Sequence, residues 1–322
     1  MARLLFIFLD GVGIGESVAG NPFFAAQSAF LPFYMNGNEP RLPDGTPVKP
    51  IDATLGVEGL PQSATGQTSL FTGANIPALL NGHKGSYPDK TMRQIIKSQN
   101  LLSRLRRKNL DARFINAYPF YGPFFTPPHV DIYEDGSFHF SGEFPVLFKK
   151  RISVTTCMNI VNRLSPFNET DIICENAIYQ DYSNLSLNRM LAETPTEKLK
   201  HAPLPEFSPE KAAEILFKAS QKFDFLLYEY FLTDIFAHRH PFAERIELIR
   251  QLGRLIGKLI SLLDRERDTL LITSDHGNLE DGATRTHTRN PVPLIVWGKW
   301  GPGLRESIHS LVDVTPAIER IF

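Results

Sequence analysis

Four separated stretches of this chain hold the residue types that a site for two divalent cations needs. The first is Leu9-Asp10-Gly11-Val12-Gly13, a carboxylate followed by glycines that let the backbone turn away; an Asp before Gly is also an ordinary turn. The second is Gly59-Leu60-Pro61-Gln62-Ser63-Ala64-Thr65-Gly66-Gln67-Thr68, where hydroxyls meet the start of a short helix running through Phe71. Free N–H groups and the positive dipole end favour an alkoxide or a phosphate oxygen there. Capping that helix is the commoner use of Ser63 or Thr65. In the third, Asp234 and His238 are four apart, so one helical turn puts them on a common face, as a chelating pair or a surface ion pair. The fourth joins Ser274-Asp275-His276-Gly277-Asn278 to Thr286-His287-Thr288. Imidazole together with carboxylate suits Zn²⁺ or Mn²⁺ better than Ca²⁺ or Mg²⁺.

Each stretch falls where a strand is expected to end. Strand-like runs cover residues 4–9, 112–117, 223–231, 269–273 and 293–297, with helical patterns between several of them. The alternation predicts an α/β fold, a mostly parallel sheet covered by helices, whose ligands bind at the carboxyl ends of the strands. A helix is expected over residues 243–263, where Ile246, Ile249, Leu252, Ile256, Leu259 and Leu263 recur at helical spacing. Another is expected over about 89–108, and a last one from Pro316 with Thr315 as its cap. Residues 31–50, with five prolines, read as loop with a short hairpin. Residues 119–205 open Pro- and Phe-rich, carry an Asp135-Gly136 turn and read as a small inserted cap, which leaves 1–118 and 206–322 as the core.

These positions, taken in order, resemble the alkaline phosphatase superfamily, nearest its cofactor-independent phosphoglycerate mutase and phosphopentomutase branch. The likeness runs from Asp10 through Ser63-Ala64-Thr65-Gly66 and Asp234 to His238, then Asp275-His276-Gly277-Asn278 and His287-Thr288, nearly the whole chain. It implies a doubly wound sheet with a cap inserted after the nucleophile region. It also implies one metal held by Asp234, His238 and His287, and a second by Asp10, Asp275, His276 and the oxygen of a nucleophilic Ser63. Ser63, three residues before the loop glycine, is expected to attack rather than Thr65 or Thr68. Two departures stand out: Gln67 occupies a position where the mutases usually carry His, and the inserted segment is much shorter than theirs. His83, Lys84 and the run Lys149-Lys150-Arg151 are possible phosphate contacts, but loop structure and a solvated basic run are the commoner readings.

Bulk properties narrow the partners. A formal charge of −1 gives no field to gather nucleic acid or an anionic membrane, and no apolar run reaches the length of a membrane span. With only Cys157 and Cys174 in 322 residues, no disulfide framework is implied, and a reducing, cytoplasmic setting is expected. The expected function is a phosphomonoesterase with two divalent cations, Zn or Mn, acting on a small phosphorylated metabolite through a phosphoserine. The short cap favours hydrolysis over a phosphomutase of the phosphoglycerate or phosphopentose type. No Cys/Ser-x-Pro-x-Arg context surrounds Ser63, which argues against a sulfatase. A catalytically silent metal-binding protein would be marked by a lost ligand, and all seven positions are filled.

Overall fold

The first strand is buried on both faces because its apolar run offers no polar side to water. Leu4, Phe6 and Phe8 enter one core cluster, while Leu5, Ile7 and Leu9 enter the other. The structure, a computed structural model, describes residues 3–116, 130–140, 152–162, 181–185 and 205–322. In chain order its elements are β1 (Arg3–Leu9), β2 (Gly15–Glu16), α1 (Pro22–Ala26), β3 (Tyr34–Met35), β4 (Val48–Ile51), α2 (Ser63–Thr72), α3 (Ile76–Leu79), α4 (Lys90–Gln99), α5 (Leu101–Arg107) and β5 (Ala112–Phe114). There follow β6 (Val130–Ile132), β7 (Phe138–Phe140), α6 (Val154–Asn162), α7 (Pro209–Ser220), β8 (Phe225–Tyr230), α8 (Leu232–Arg239), α9 (Phe242–Leu262), β9 (Asp268–Ser274), β10 (Val292–Gly298), α10 (Gly301–Ser307) and α11 (Leu311–Ile321).

The main sheet has the order β4-β10-β9-β1-β8-β5. Strands β9, β1, β8 and β5 run parallel; β10 is antiparallel to β9, and β4 is antiparallel to β10. One face is covered by α2, α4, α5, α6 and α11 through residues such as Phe71, Ile96, Leu105, Met158 and Val314. The other is covered by α1, α7 and α9 through Phe23, Leu216, Leu252 and Ile256. This is the α/β architecture expected from the alternating pattern, with helices on both faces.

Three local expectations need correction. The helix expected over 89–108 is two helices, broken at Asn100. That residue takes an extended backbone (φ −67°, ψ 154°), and its side chain accepts from Ser103 N to start the second helix. The last helix starts at Leu311, not Pro316, because Ser310 and Asp313 form a capping box; Pro316 lies inside it, and Thr315 Oγ1 donates to Leu70 O instead of capping. Residues 31–50 contain sheet as well as loop: β4 begins at Val48, and Pro50 stands directly opposite Pro293 of β10.

Of the segment expected to form a cap, the described parts include the β6–β7 hairpin, which turns at Asp135-Gly136 as expected, and α6. Both reach α4: Lys97 Nζ donates to Ile132 O at 2.8 Å, and Met158 and Cys157 of α6 share the core cluster of Ile96. Cys157 is buried, which pushes its thiol up to about 12. Residues 149–151 and Cys174 lie outside the described residues. No helix among the described residues is long and apolar enough to cross a membrane.

Candidate active site

Three neighbouring parallel strands end side by side. Leu9 of β1 is level with Tyr230 of β8 and Ser274 of β9, so Asp10, the start of α8 and Asp275 all leave the sheet at one edge. The register is locked by Asp10 N donating to Tyr230 O at 3.1 Å and Thr233 Oγ1 donating to Asp10 O at 2.5 Å. Gly11 then takes φ +67°, and a Cβ there would overlap the Asp234 side chain, so only glycine lets the two carboxylates come this close. Its N–H donates to Asp275 Oδ1 at 3.2 Å.

Ser63 is the first residue of α2. The preceding Gln62 makes no side-chain cap bond, and Thr65 Oγ1 donates back to Gln62 O at 3.1 Å while accepting from Lys84 N. Thr68 Oγ1 donates to Ala64 O. Of the three hydroxyls, Ser63 Oγ alone faces the cluster, 3.0 Å from His276 Nε2. His83 Nε2 lies 3.3 Å from Val57 O, so that residue serves its loop.

All three imidazoles are turned the same way. His238 Nδ1 lies 2.6 Å from Arg285 O, His287 Nδ1 2.7 Å from Pro61 O, and His276 Nδ1 3.3 Å from Gly277 O. A carbonyl can only accept, so each Nδ1 carries the proton and each Nε2 presents a lone pair inward. Yet His238 Nε2 and His287 Nε2 stand 3.2 Å apart, with Asp234 Oδ2 3.3 Å from the former and Asp234 Oδ1 3.7 Å from the latter. Two lone pairs at that distance repel unless a cation or a proton lies between them, and the one neighbouring amide, Asn278 Nδ2 at 3.0 Å from His238 Nε2, is shared with Asp234 Oδ1.

The second group converges on His276 Nε2. Asp10 Oδ1 and Asp275 Oδ2 each lie 3.5 Å from it, and both oxygens are buried without a hydrogen-bond partner. An orphaned buried carboxylate oxygen is costly. Donor atoms about 2.0–2.2 Å from one tetrahedral ion lie roughly 3.3–3.6 Å apart, close to the 3.2–3.7 Å of the first group and the 3.5 Å of the second. The donor sets Asp234, His276, His287 and Asp10, Asp275, His276 each lie within 4.8 Å of one another, and His276 stands between them. The residues therefore fit divalent cations.

The electrostatics agree. Burial, then the charges of Asp275, Asp234 and Glu229, hold Asp10 well above the usual carboxylate range. Burial also raises Asp275 to about 7. Burial pushes Asp234 upward too, but without a metal the hydrogen bond from His238 in its protonated form, the positive charge that His276 and His238 carry when protonated, and the Asn278 amide outweigh it and bring it to about 2. The hydrogen bond to Asp234 raises His238, whereas burial lowers His276 and His287.

All seven residues singled out from the sequence, Asp10, Ser63, Asp234, His238, Asp275, His276 and His287, are thus brought together. Sequence reasoning missed the groups that orient them. Asn278 Nδ2 donates to Asp234 Oδ1 at 2.7 Å, Gln67 Nε2 donates to Asp10 Oδ2 at 3.2 Å, and Glu280 accepts from Gly13 N at 2.7 Å.

Known proteins resemble this chain to different depths. The Metalloenzyme superfamily model matches residues 188–318. The 2,3-bisphosphoglycerate-independent phosphoglycerate mutase of Pseudomonas putida is 31% identical over 126 residues, 36% of this chain and 24% of that protein. Its counterpart from Desulforudis audaxviator is 29% identical over 132 residues, 39% of this chain and 25% of that protein. This chain spans about a quarter of the length of these curated relatives. The alkaline phosphatase of the Antarctic bacterium TAB5 superposes with a TM-score of 0.53 at 12% identity, covering 99% of this chain and 97% of that one, which shows a shared fold. Residues 188–318 are therefore similar to the Metalloenzyme superfamily, and the chain as a whole shares the alkaline phosphatase fold. In an open α/β sheet the carboxyl ends of the strands are where ligands bind, and that is the edge where these acceptors gather. Gln67 supplies an amide that steadies the Asp10 carboxylate, at the position where the mutase likeness led to His.

Proposed function

We propose that this protein is a metal-dependent phosphoryl-transfer enzyme that hydrolyses a small phosphate monoester through a phosphoserine at Ser63. The observation that carries the reading is the pair of inward-facing Nε2 atoms of His238 and His287, both with Nδ1 committed to carbonyls, beside two orphaned carboxylate oxygens. Asp234, His238 and His287 would hold one ion. Asp10, Asp275, His276 and Ser63 Oγ would hold the other. Zn²⁺ or Mn²⁺ suits this mixture of nitrogen and oxygen donors. Bound there, the cations supply Lewis-acid stabilisation of phosphoryl oxygens and lower the pKa of an attacking hydroxyl.

The chain's own residues do the rest. Ser63 presents Oγ from the first position of α2, with the positive end of the helix dipole behind it. Attack by Oγ forms the serine O–P bond as the P–O ester bond breaks, and the proton given up by the serine hydroxyl ends on the departing alcohol; water then attacks phosphorus, breaking the serine O–P bond to release inorganic phosphate and restore the Ser63 hydroxyl. Asn278 and Gln67 keep Asp234 and Asp10 in place through both steps. The segment 119–205, which contains none of the seven residues, is assigned to substrate choice.

A phosphomutase is the second reading, favoured by the matches to phosphoglycerate mutases. Incubating the Zn²⁺- or Mn²⁺-loaded protein with an aryl phosphate and, separately, with 3-phosphoglycerate separates the two. Free phosphate from either supports the hydrolase, whereas 2-phosphoglycerate without free phosphate supports the mutase. Neither product in the presence of both metals would sink the enzymatic reading.

A further inference from the structure

Glu280 is only 2% exposed and makes no ion pair with Lys or Arg among the described residues, yet its carboxylate is fully engaged. Oε2 accepts from Gly13 N at 2.7 Å and from Asn278 N at 2.8 Å. Oε1 accepts from Asn290 Nδ2 at 3.0 Å and from Thr288 Oγ1. Four donors face it, and a carboxylate is the side chain with about four acceptor sites and no donor. Hydrogen bonds to an ionised acceptor are roughly twice as strong as neutral ones, so this cluster resists opening.

The identity of the donors gives the cluster its meaning. Gly13 lies in the loop that carries Asp10, Asn278 in the loop that carries Asp275 and His276, and Thr288 and Asn290 in the loop that carries His287. The loop after β1 and two separate stretches of the β9–β10 connection, which itself carries Glu280, therefore converge on one carboxylate. Asn278, fixed through its backbone, sends its side-chain amide to Asp234 Oδ1, and that amide also lies 3.0 Å from His238 Nε2, so α8 is reached as well. Packing leaves the carboxylate no alternative site: a Cβ at either Gly13 or Gly277 would overlap Glu280 Oε1.

We propose that Glu280 is a positioning residue that sets the mutual spacing of the two ligand groups without touching metal or substrate. The inference rests on the metal-site reading above. Glu280→Gln keeps the shape but swaps an acceptor oxygen for an NH₂, which either confronts two backbone N–H groups or obliges the Thr288 hydroxyl and the Asn290 amide to turn round and accept, breaking the bonds they now donate. Loss of a group that orients metal ligands typically lowers metal affinity about 10–100-fold.

The test compares the parent chain with Glu280→Gln in Zn²⁺ competition titrations against a chromophoric chelator, together with amide exchange on the metal-free proteins. Expected are unchanged far-UV circular dichroism, Zn²⁺ affinity about 10–100-fold weaker, and faster exchange at Gly13 and Asn278. Turnover should recover at saturating metal, which a general loss of structure would not allow. A folded Glu280→Gln protein with parental affinity overturns the inference. Should Glu280→Gln fail to fold, Thr288→Val, which removes one donor and leaves the carboxylate, is expected to bind Zn²⁺ several-fold more weakly; parental affinity there overturns it equally. A parent chain that binds no Zn²⁺ removes the metal site itself, and the assignment falls with it.

Discussion

Ser63 and Thr65 stand two positions apart in α2 and have opposite fates. Thr65 Oγ1 is spent on Gln62 O and Lys84 N, while Ser63 Oγ points at His276. Ser63→Ala is therefore expected to abolish turnover and any acid-stable phosphoenzyme seen by mass spectrometry while retaining most metal affinity. Thr65→Ala should leave turnover within a few-fold and cost about 1 kcal/mol of stability in urea unfolding. A second expectation concerns pH. In the metal-free protein, burial holds Asp275 at about 7 and Asp10 well above its usual range. Both bind protons more tightly folded than unfolded, so the metal-free fold loses stability as pH rises from about 4 through about 7. Metal binding must expel those protons, so Zn²⁺ affinity should fall as pH drops below about 7. Melting curves at pH 5 and 8, with chelator and with Zn²⁺, check both signs: the chelated protein should melt lower at pH 8, and the gain from Zn²⁺ should be larger there. The candidate ligands were legible because residue type betrays them, a carboxylate ending an apolar run or an Asp and His four apart. Glu280 was not, because its meaning depends on Gly13, which is 267 positions away in sequence and adjacent only after folding.

At the scale of elements, the strands could be read because Leu4 to Leu9 admits no amphipathic alternative, whereas helix boundaries were set by groups that no periodicity displays. Ile96, Leu101, Leu102 and Leu105 keep a helical rhythm straight through Asn100. What breaks the helix there is a buried amide with several partners: Asn100 Nδ2 donates to Ile96 O at 2.7 Å, its oxygen accepts from Ser103 N, and Asn162 Nδ2 of α6 donates to the same oxygen at 3.0 Å. Asn100→Ala strands these groups, and a loss of about 1–3 kcal/mol is expected from urea unfolding. Pro316 misled in a comparable way. Proline favours a first helical position, but the capping box at Ser310 and Asp313 had already started the turn.

For the molecule as a whole, the proposed division between a metal-binding core and an inserted segment carries a mechanical expectation. Ile132, Ile152, Val154, Cys157, Met158 and Ile160 belong to the same core cluster as Phe6 and Phe71. Replacing residues 119–205 by a short linker should therefore expose one face of the core and yield a protein that binds a hydrophobic dye such as ANS and melts without a cooperative transition. A cooperative, dye-silent variant would show that the segment is dispensable for folding. The sheet's outer margin holds a quieter consequence. Pro50 and Pro293 face each other across β4 and β10, and with no N–H on either they can only be a non-hydrogen-bonded pair, whose nitrogens point away from one another. Pro50 thus turns its ring nitrogen to the outer side of β4, where Val48 N already donates to Pro40 O and Asp52 N to His309 O, so that border offers an incoming strand no free donor at these three positions. A site that requires an open end of the sheet is thereby carried on a sheet whose flank declines company, so crowding in a concentrated solution is met at this border with a blunt edge rather than a template for aggregation.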